Sequence, residues 1–459
     1  MLEPQLRDTL LAARHTARQQ GINAEFSLHR EHSSLIRLAN SAVALSTSEE
    51  LTRLDISVQD GRRVGSYSLL SGILTPEQIS ACLDQARENC AAAIPKDYDP
   101  IFGRVEENFD DSRGYDPALE ELSPETKASL CARVIEAIGH RDRYTFSGSW
   151  STGSTEVYYI TTANDNEAYR RLTDGRLALV LKHQQQRWEL QIELTQKRAG
   201  EFSADDAIAS FERLLPVYES NPPHRPSVGR QRVLFGPQAI AQLLHLALWS
   251  GFNGRGWEEK RTFTCQNQPG DKIFSDLITI CDDPDNPDVF SMPFDFNGRR
   301  RKRFVIVENG IFRALCYDSA AAAKYNRQPT GHDLESIDLV LEPGSGQAGL
   351  DAGLRLAGDA LYIPHLHYIH VPDITKGVIT GSSRFNAMLI RDGRFVAPIF
   401  SSRVTDTLPD ILGNVLGLSS KSVSQNESST YGRRSPEAYS VPEWLLCESV
   451  RISDVAESF

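Results

Sequence analysis

FVIVENGIFRALCYD, residues 304–318, reads as two short strands folded back on each other. Phe304-Val-Ile-Val307 is aromatic and β-branched, Asn309-Gly310 supplies two residues that tolerate positive φ, and apolar residues resume at Ile311. The pattern returns in AMLIRDGRFVAPI, residues 387–399, with Asp392-Gly393 as the turn. Two such hairpins predict a β-rich C-terminal domain. Beyond them, residues 419–440 are dominated by Ser with Asn, Gln and Gly, which predicts a long mobile loop before a final strand near Trp444 to Ile452.

Upstream of the hairpins, Arg232 to Phe235 reads as a strand. Gly236-Pro237 then opens a helix with Ile240, Leu243, Leu244, Ala247 and Leu248 along one side. Asn221-Pro-Pro-His-Arg-Pro226 precedes this unit and predicts a linker, because consecutive prolines remove backbone donors and favour extended chain. Before the linker, Tyr144 to Thr162 and Leu177 to Leu194 alternate like antiparallel strands. Ser123-Pro-Glu and Ser203 have the chemistry of helix starts. The first segment predicts an N-terminal helix, strands over Ser34–Ala44 and Leu54–Val58, a turn at Asp60-Gly61, and a helix opened by the capping box Thr75-Pro-Glu-Gln78.

At 459 residues the chain is long enough for two or three domains, and 40% hydrophobic with 24% charged residues describes a soluble globular protein. A net charge of −12 argues against wrapping a nucleic-acid backbone, and no apolar run approaches a membrane span. Charged residues interleave with Leu6, Leu10, Ala13 and Ala17 at the N-terminus, unlike a secretory signal. Seven cysteines form no CxxC pair, which suits reduced thiols in the cytoplasm. One basic run, Gly298-Arg-Arg-Arg-Lys-Arg303, could hold an acidic group, but its place beside Phe304–Val307 favours a solvated strand edge.

From residue 231 onward the order of features is a strand and helix, KIFSDLITICDDP (272–284), PFDFNG (293–298), the ENG hairpin, YDSAAAAKYNRQPTGH (317–332) and the RDG hairpin. Together they resemble the TldD/PmbA (TldD/TldE) family of metallopeptidase-related proteins. Arg37-Leu-Ala-Asn-Ser41 through Asp60-Gly-Arg-Arg-Val-Gly65 also resembles this family's first domain, so the similarity covers nearly the whole chain. In the family's catalytic branch a helix carries HExxxH, two His and a later Cys bind zinc, and the Glu works on metal-bound water. Imidazoles and a thiolate leave zinc one open position where water is acidified, and a carboxylate must accept and return its proton.

The matching helix here reads LHLALWSGFNG over 244–254 and keeps the glycine spacing at Gly251 and Gly254. His245 stands at the first ligand position, Leu246 replaces the Glu, and Ser250 replaces the second His. The segment 419–440, where the catalytic branch places its Cys, contains no cysteine, and Cys447 in WLLC reads as core. Serine chemistry between Ser250 and His245 fails on geometry, since residues five apart on a regular helix project about 140° from each other.

His365-Leu-His367-Tyr-Ile-His370 invites a metal reading. On a strand, however, 365 and 367 share one face and 370 the other. Gly344-Ser-Gly-Gln-Ala-Gly349 fits a dinucleotide-binding pattern after a strand-like stretch. Gly353 and Gly358 nevertheless predict that no long helix follows, so a glycine-rich turn is the better reading. The acidic run Asp282 to Asp288, broken by two prolines, lacks the spacing of a calcium loop and reads as a turn.

The resemblance implies an α+β fold in which N-terminal helix and antiparallel-sheet domains (1–95 and 96–220) precede a β-rich C-terminal domain (227–459). It implies a non-catalytic, TldE-like subunit of a heteromeric peptidase that acts on peptides or unfolded polypeptides, paired with a TldD-like, zinc-bearing subunit and helping to enclose the substrate cleft. Zinc is then expected in the partner, with no catalytic or metal residue in this chain. His245, Leu246 and Ser250 are the degenerate zinc-motif positions, and His365, His367 and Arg384 are the candidate cleft residues. Two alternatives remain at this point: a homodimeric peptide-binding scaffold with no peptidase partner, and a hydrolase whose active site has moved, with the histidines near 365–370 as its candidates.

Overall fold

The structure is a computed structural model and describes residues 2–139, 142–332, 337–429 and 433–457. The helix starts lie where the sequence places them. Thr75 accepts from Gln78 N while the Gln78 side chain accepts from Thr75 N, Ser123 caps the helix Pro124–Ile138, and Ser203 caps Ala204–Ser220. Three sheets carry the strands of the described chain.

The first sheet contains β1 (Asn23–Ala39), β2 (Ala42–Asp60), β3 (Arg63–Leu70), β4 (Phe109–Asp111), β5 (Tyr144–Thr161), β6 (Glu167–His183) and β7 (Glu189–Gln196). Its order is β3-β2-β1-β5-β6-β4, with β7 paired to β6. The run expected as one strand over 34–44 is two strands: Asn40 and Ser41 both take positive φ and fold β1 back onto β2. Likewise 177–194 spans the end of β6, a turn and the start of β7. β1 pairs with β5 from Glu25↔Thr161 to Leu38↔Gly148, so the units expected at 1–95 and 96–220 share this sheet.

The two similar hairpins form as expected, with Asn309-Gly310 and Asp392-Gly393 at positive φ, but they enter different sheets. Phe304–Glu308 and Ile311–Phe312 close one end of a six-stranded sheet whose other end is Ala438–Pro442 and Ser422–Asn426. Met388–Arg391 and Arg394–Pro398 close a nine-stranded sheet that also holds Gly229–Phe235, Leu445–Val455 and, at its far edge, Leu366–Asp373. The segment 419–440 is therefore not a mobile loop where described. Ser422 pairs with Pro442 through to Asn426 with Ala438, because Ser-rich alternation still satisfies a ladder when one face meets another sheet. That expectation also covered residues 430–432, which lie outside the described residues.

The expected linker at 221–226 is tied down: His224 N donates to Pro398 O, Phe400 N to His224 O, and the Arg225 side chain to Val455 O. One buried core runs from Trp150, Phe211 and Trp188 to Leu234, Met388 and Trp444, joining the first sheet to the nine-stranded one. The glycine-rich run 344–349 is explained by this packing. A Cβ on Gly346 would stand 2.4 Å from the Trp444 indole and one on Gly353 would stand 2.8 Å from it. An eight-residue helix, Leu350–Ala357, does follow the run, with Gly353 inside it.

The basic run is a solvated edge at Arg300, Lys302 and Arg303, which are exposed, but not at Arg301. Arg301 is 3% exposed and grips both Asp282 oxygens at 2.6 Å and Asp338 at 2.7 Å, while Arg300 and Arg303 pair with Glu107 and Glu342. All seven cysteines are free thiols. Among the described residues, no helix is long and apolar enough to cross a membrane.

Candidate functional site

The helix Pro237–Ala247 buries Ile240, Leu243, Leu244 and Ala247 and turns a polar stripe, Gln238, Gln242 and His245, the other way. These three recur at i, i+4 and i+7, so they share a face. Gln238 donates to Glu193 on β7, Gln242 Oε1 accepts from Leu366 N at 3.2 Å, and His245 Nδ1 lies 2.6 Å from the Tyr439 hydroxyl. One helix face thus meets the first sheet, the edge of the nine-stranded sheet and the end of the six-stranded sheet.

His245 is 49% exposed, and its inner side packs closely enough that desolvation lowers its pKa. Tyr439 also bonds Glu437 through the same hydroxyl, so His245, Tyr439 and Glu437 form one hydrogen-bonded chain. Leu246 packs against the core. After Ala247 the helix widens into one π turn, Leu248–Phe252, the local bulge that a His245–Ser250 contact would need. Ser250 is nevertheless fully buried and donates back to Leu246 O at 2.5 Å. Gly251 and Gly254 face the rings of Phe263 and Tyr317, which a Cβ would strike.

This donor set does not fit zinc. It offers one imidazole, an aliphatic side chain and a hydroxyl already bonded to the backbone. Among the described residues no group of three or more His, Cys, Asp or Glu is arranged to hold a metal ion. Cys447 is core, with its thiol donating to Ile411 O.

Glu189, Gln191 and Glu193 alternate along β7 and present one face to the C-terminal half. Glu189 takes Arg384 at 3.0 Å, Gln191 exchanges bonds with Asn386, and Glu193 takes Arg176 at 2.6 Å. Glu427 stands near Arg176, Glu193 and Glu437; burial pushes its carboxyl up to about 8 and that of Glu437 to about 7. These groups can hold or release a proton near neutrality. Arg434, fully buried, clamps the segment that carries them: it pairs with Asp174 at 2.7 Å and reaches Ser33 and Ser151 across the first sheet.

His365, His367 and Arg384 lie together at the start of the edge strand Leu366–Asp373. The imidazole rings lie 6.0 Å apart, and Arg384 donates to His367 Nε2 at 2.9 Å. His365 has a buried Nδ1 without a partner, and desolvation, then the charges of His367, Arg176 and Arg384, lowers its pKa to about 4. A bulge with Tyr368 at positive φ interrupts the strand, yet His370 still turns to solvent and bonds Tyr368 O. The three histidines do not converge.

Sequence reasoning missed Arg176, Glu193, Gln238, Gln242, Glu427, Glu437 and Tyr439. Only Gln238 and Gln242 carried a readable signal, their spacing from His245. The others come from strands, or in the case of Glu427 and Glu437 from the chain between two strands, that nothing local ties to this helix.

Residues 228–454 match the family model described as the PmbA/TldA metallopeptidase C-terminal domain. A curated relative from Methanothermobacter thermautotrophicus, named Metalloprotease, is 26% identical over 225 residues, 46% of each chain. The Metalloprotease PmbA homolog of Haemophilus influenzae is 29% identical over 128 residues, 28% of each chain. The matched stretch spans under half the length of these relatives. The crystal structure of TldE from Thermococcus kodakarensis superposes with a TM-score of 0.81 over 97% of this chain and 100% of that one, at 16% identity, which is a likeness of fold.

Proposed function

Through residues 228–454 the chain belongs to the TldD/PmbA family, and from that membership we propose that it is a non-catalytic, TldE-like subunit of a heteromeric zinc peptidase. The observation that carries this reading is the helix at His245. Leu246 has no group to move a proton, Ser250 is buried against its own helix, and the imidazole is bonded to Tyr439. Zinc and the proton-handling carboxylate then belong to a TldD-like partner subunit.

The role of this chain is to wall the cleft and hold an extended peptide or unfolded polypeptide. The edge strand Leu366–Asp373 supports this, because a sheet edge offers backbone hydrogen bonds indifferent to side-chain sequence. His365, His367 and Arg384 beside it are cleft residues, and Glu189 holds Arg384. Seven free thiols suit a reducing compartment, the cytoplasm.

Co-expression with a homologue that carries HExxxH tests the reading. The two chains are expected to co-purify in a fixed ratio, and hydrolysis of an unfolded polypeptide to appear in the mixture and not in this chain alone. Hydrolysis by this chain alone overturns the assignment, and an active partner that neither binds it nor gains activity from it overturns the pairing.

A further inference from the structure

Beside His245 lies a cavity of about 60 Å³ whose walls include Leu248, Trp249, Arg255, Asp318 and His332. The charged groups around it are engaged, with one exception. Asp318 caps the helix Ser319–Lys324 by accepting from Ala321 N at 2.6 Å. His332 meets Thr330 through Nδ1 and stands 3.2 Å from Asp282. Nearby, Arg327 pairs with Glu258 and Arg261 with Glu259. Arg255 alone has no ion pair or hydrogen bond for its guanidinium among the described residues, and its Nε is buried without a partner.

An arginine in this position has not been left loose by its backbone. Asn253 Oδ1 caps Gly256 N at 2.9 Å, Gly254 N donates to Cys316 O at 2.8 Å, and Gly254 lies against the Tyr317 ring with no room for a Cβ. Arg255 is therefore presented from a clamped turn. Leaving a partly buried guanidinium donor unsatisfied costs about 1–3 kcal/mol, so the site is built for an acceptor that arrives from outside. The cavity holds roughly two water volumes, each about 30 Å³. That is the size of an end group, not of a whole side chain. Trp249, 44% exposed, and Leu248 give the remainder of a ligand an apolar wall.

We propose that Arg255 receives a carboxylate of the bound peptide, pairing with both of its oxygens, while the adjoining residue packs on Trp249. A planar guanidinium matches a carboxylate bidentately, which a lone imidazole at His245 cannot do. The assignment rests on the reading of the cleft as a peptide-holding wall and adds which chemical group the peptide presents there. The carboxylate comes from the peptide's C-terminus or from an acidic side chain.

Fluorescence anisotropy on the full chain separates these sources. The probes are an N-terminally labelled alanine-rich hexapeptide as free acid, the same peptide as C-terminal amide, and the amide with one internal Glu. The free acid, the Glu-containing amide or both are expected to bind about tenfold tighter than the plain amide, and Arg255→Ala to abolish the difference while Arg255→Lys keeps part of it. The comparison among ligands on the unaltered chain stands even where a variant folds poorly. Equal binding of all three probes overturns the carboxylate site and leaves the peptide-holding reading intact. Absence of binding by all three overturns both.

Discussion

Arg301 shows how much a single side chain can differ from its neighbours in a charge run. It lies with Asp282 and Asp338 in a pocket where all three are almost wholly excluded from water. Removing the cation strands two buried carboxylates, so Arg301→Met is expected to destabilise the protein by about 3–5 kcal/mol in chemical denaturation at neutral pH. Arg300→Met, which loses only an exposed pair with Glu107, is expected to stay within about 1 kcal/mol. Equal effects of the two would contradict the assignment of burial. The sequence announces the charge of residues 299–303 and conceals which of them points inward, because that depends on the partners Asp282 and Asp338 arriving from separate strands. At His245 the case is reversed. Leu246 and Ser250 declare the missing chemistry from the sequence alone, whereas the bond to Tyr439 does not.

Among the elements, the helix Leu350–Ala357 sets helix propensity against packing. Exchanging glycine for alanine inside a helix normally gains up to about 1 kcal/mol. At Gly353 the added methyl would meet the Trp444 indole, so Gly353→Ala is expected to lower stability by about 1–3 kcal/mol. The loss should shrink in a Trp444→Leu background, and a gain in melting temperature from Gly353→Ala alone would refute the packing account. Element boundaries were legible wherever the signal was local: the caps at Thr75, Ser123 and Ser203 and the turns at Asn309-Gly310 and Asp392-Gly393. They were illegible where pairing came from afar. The Ser-rich segment forms strands because Ser422–Asn426 pairs with Ala438–Pro442, while Asn426 bonds Thr195 and Gly175 in the first sheet.

At the scale of the whole molecule, burial raises the carboxyls of Glu427 and Glu437 well above their ordinary value. Glu427 at about 8 and Glu437 at about 7 bind protons more tightly in the folded chain than in the unfolded one, near 4.3. Their contribution is therefore neutral in acid below the unfolded value. It becomes destabilising as pH rises past the unfolded value, grows until pH reaches the folded values, and is constant above about pH 8. Arg176, Glu193, His245 and Tyr439 face the same groups; Arg176 opposes the rise at Glu427, while Glu193 adds to it. Melting temperature is expected to fall between about pH 4 and pH 8 and to level off above, and Glu427→Gln to flatten that slope. A slope unchanged in Glu427→Gln would remove this carboxyl from the account.

The sequence by itself determined that the chain alternates helices with antiparallel strands, that its C-terminal half is β-rich, and that the helix over 237–247 lacks a glutamate and a second histidine. These follow from capping chemistry, periodicity and side-chain identity, all of which act within a few residues. Tertiary structure alone decided that the expected N-terminal units share one sheet, that Arg301 is buried, and that β7, Tyr439 and Arg255 gather around His245. Those outcomes depend on which distant strands pair and which faces meet, and burial, desolvation and the want of a partner exist only once the chain has closed on itself.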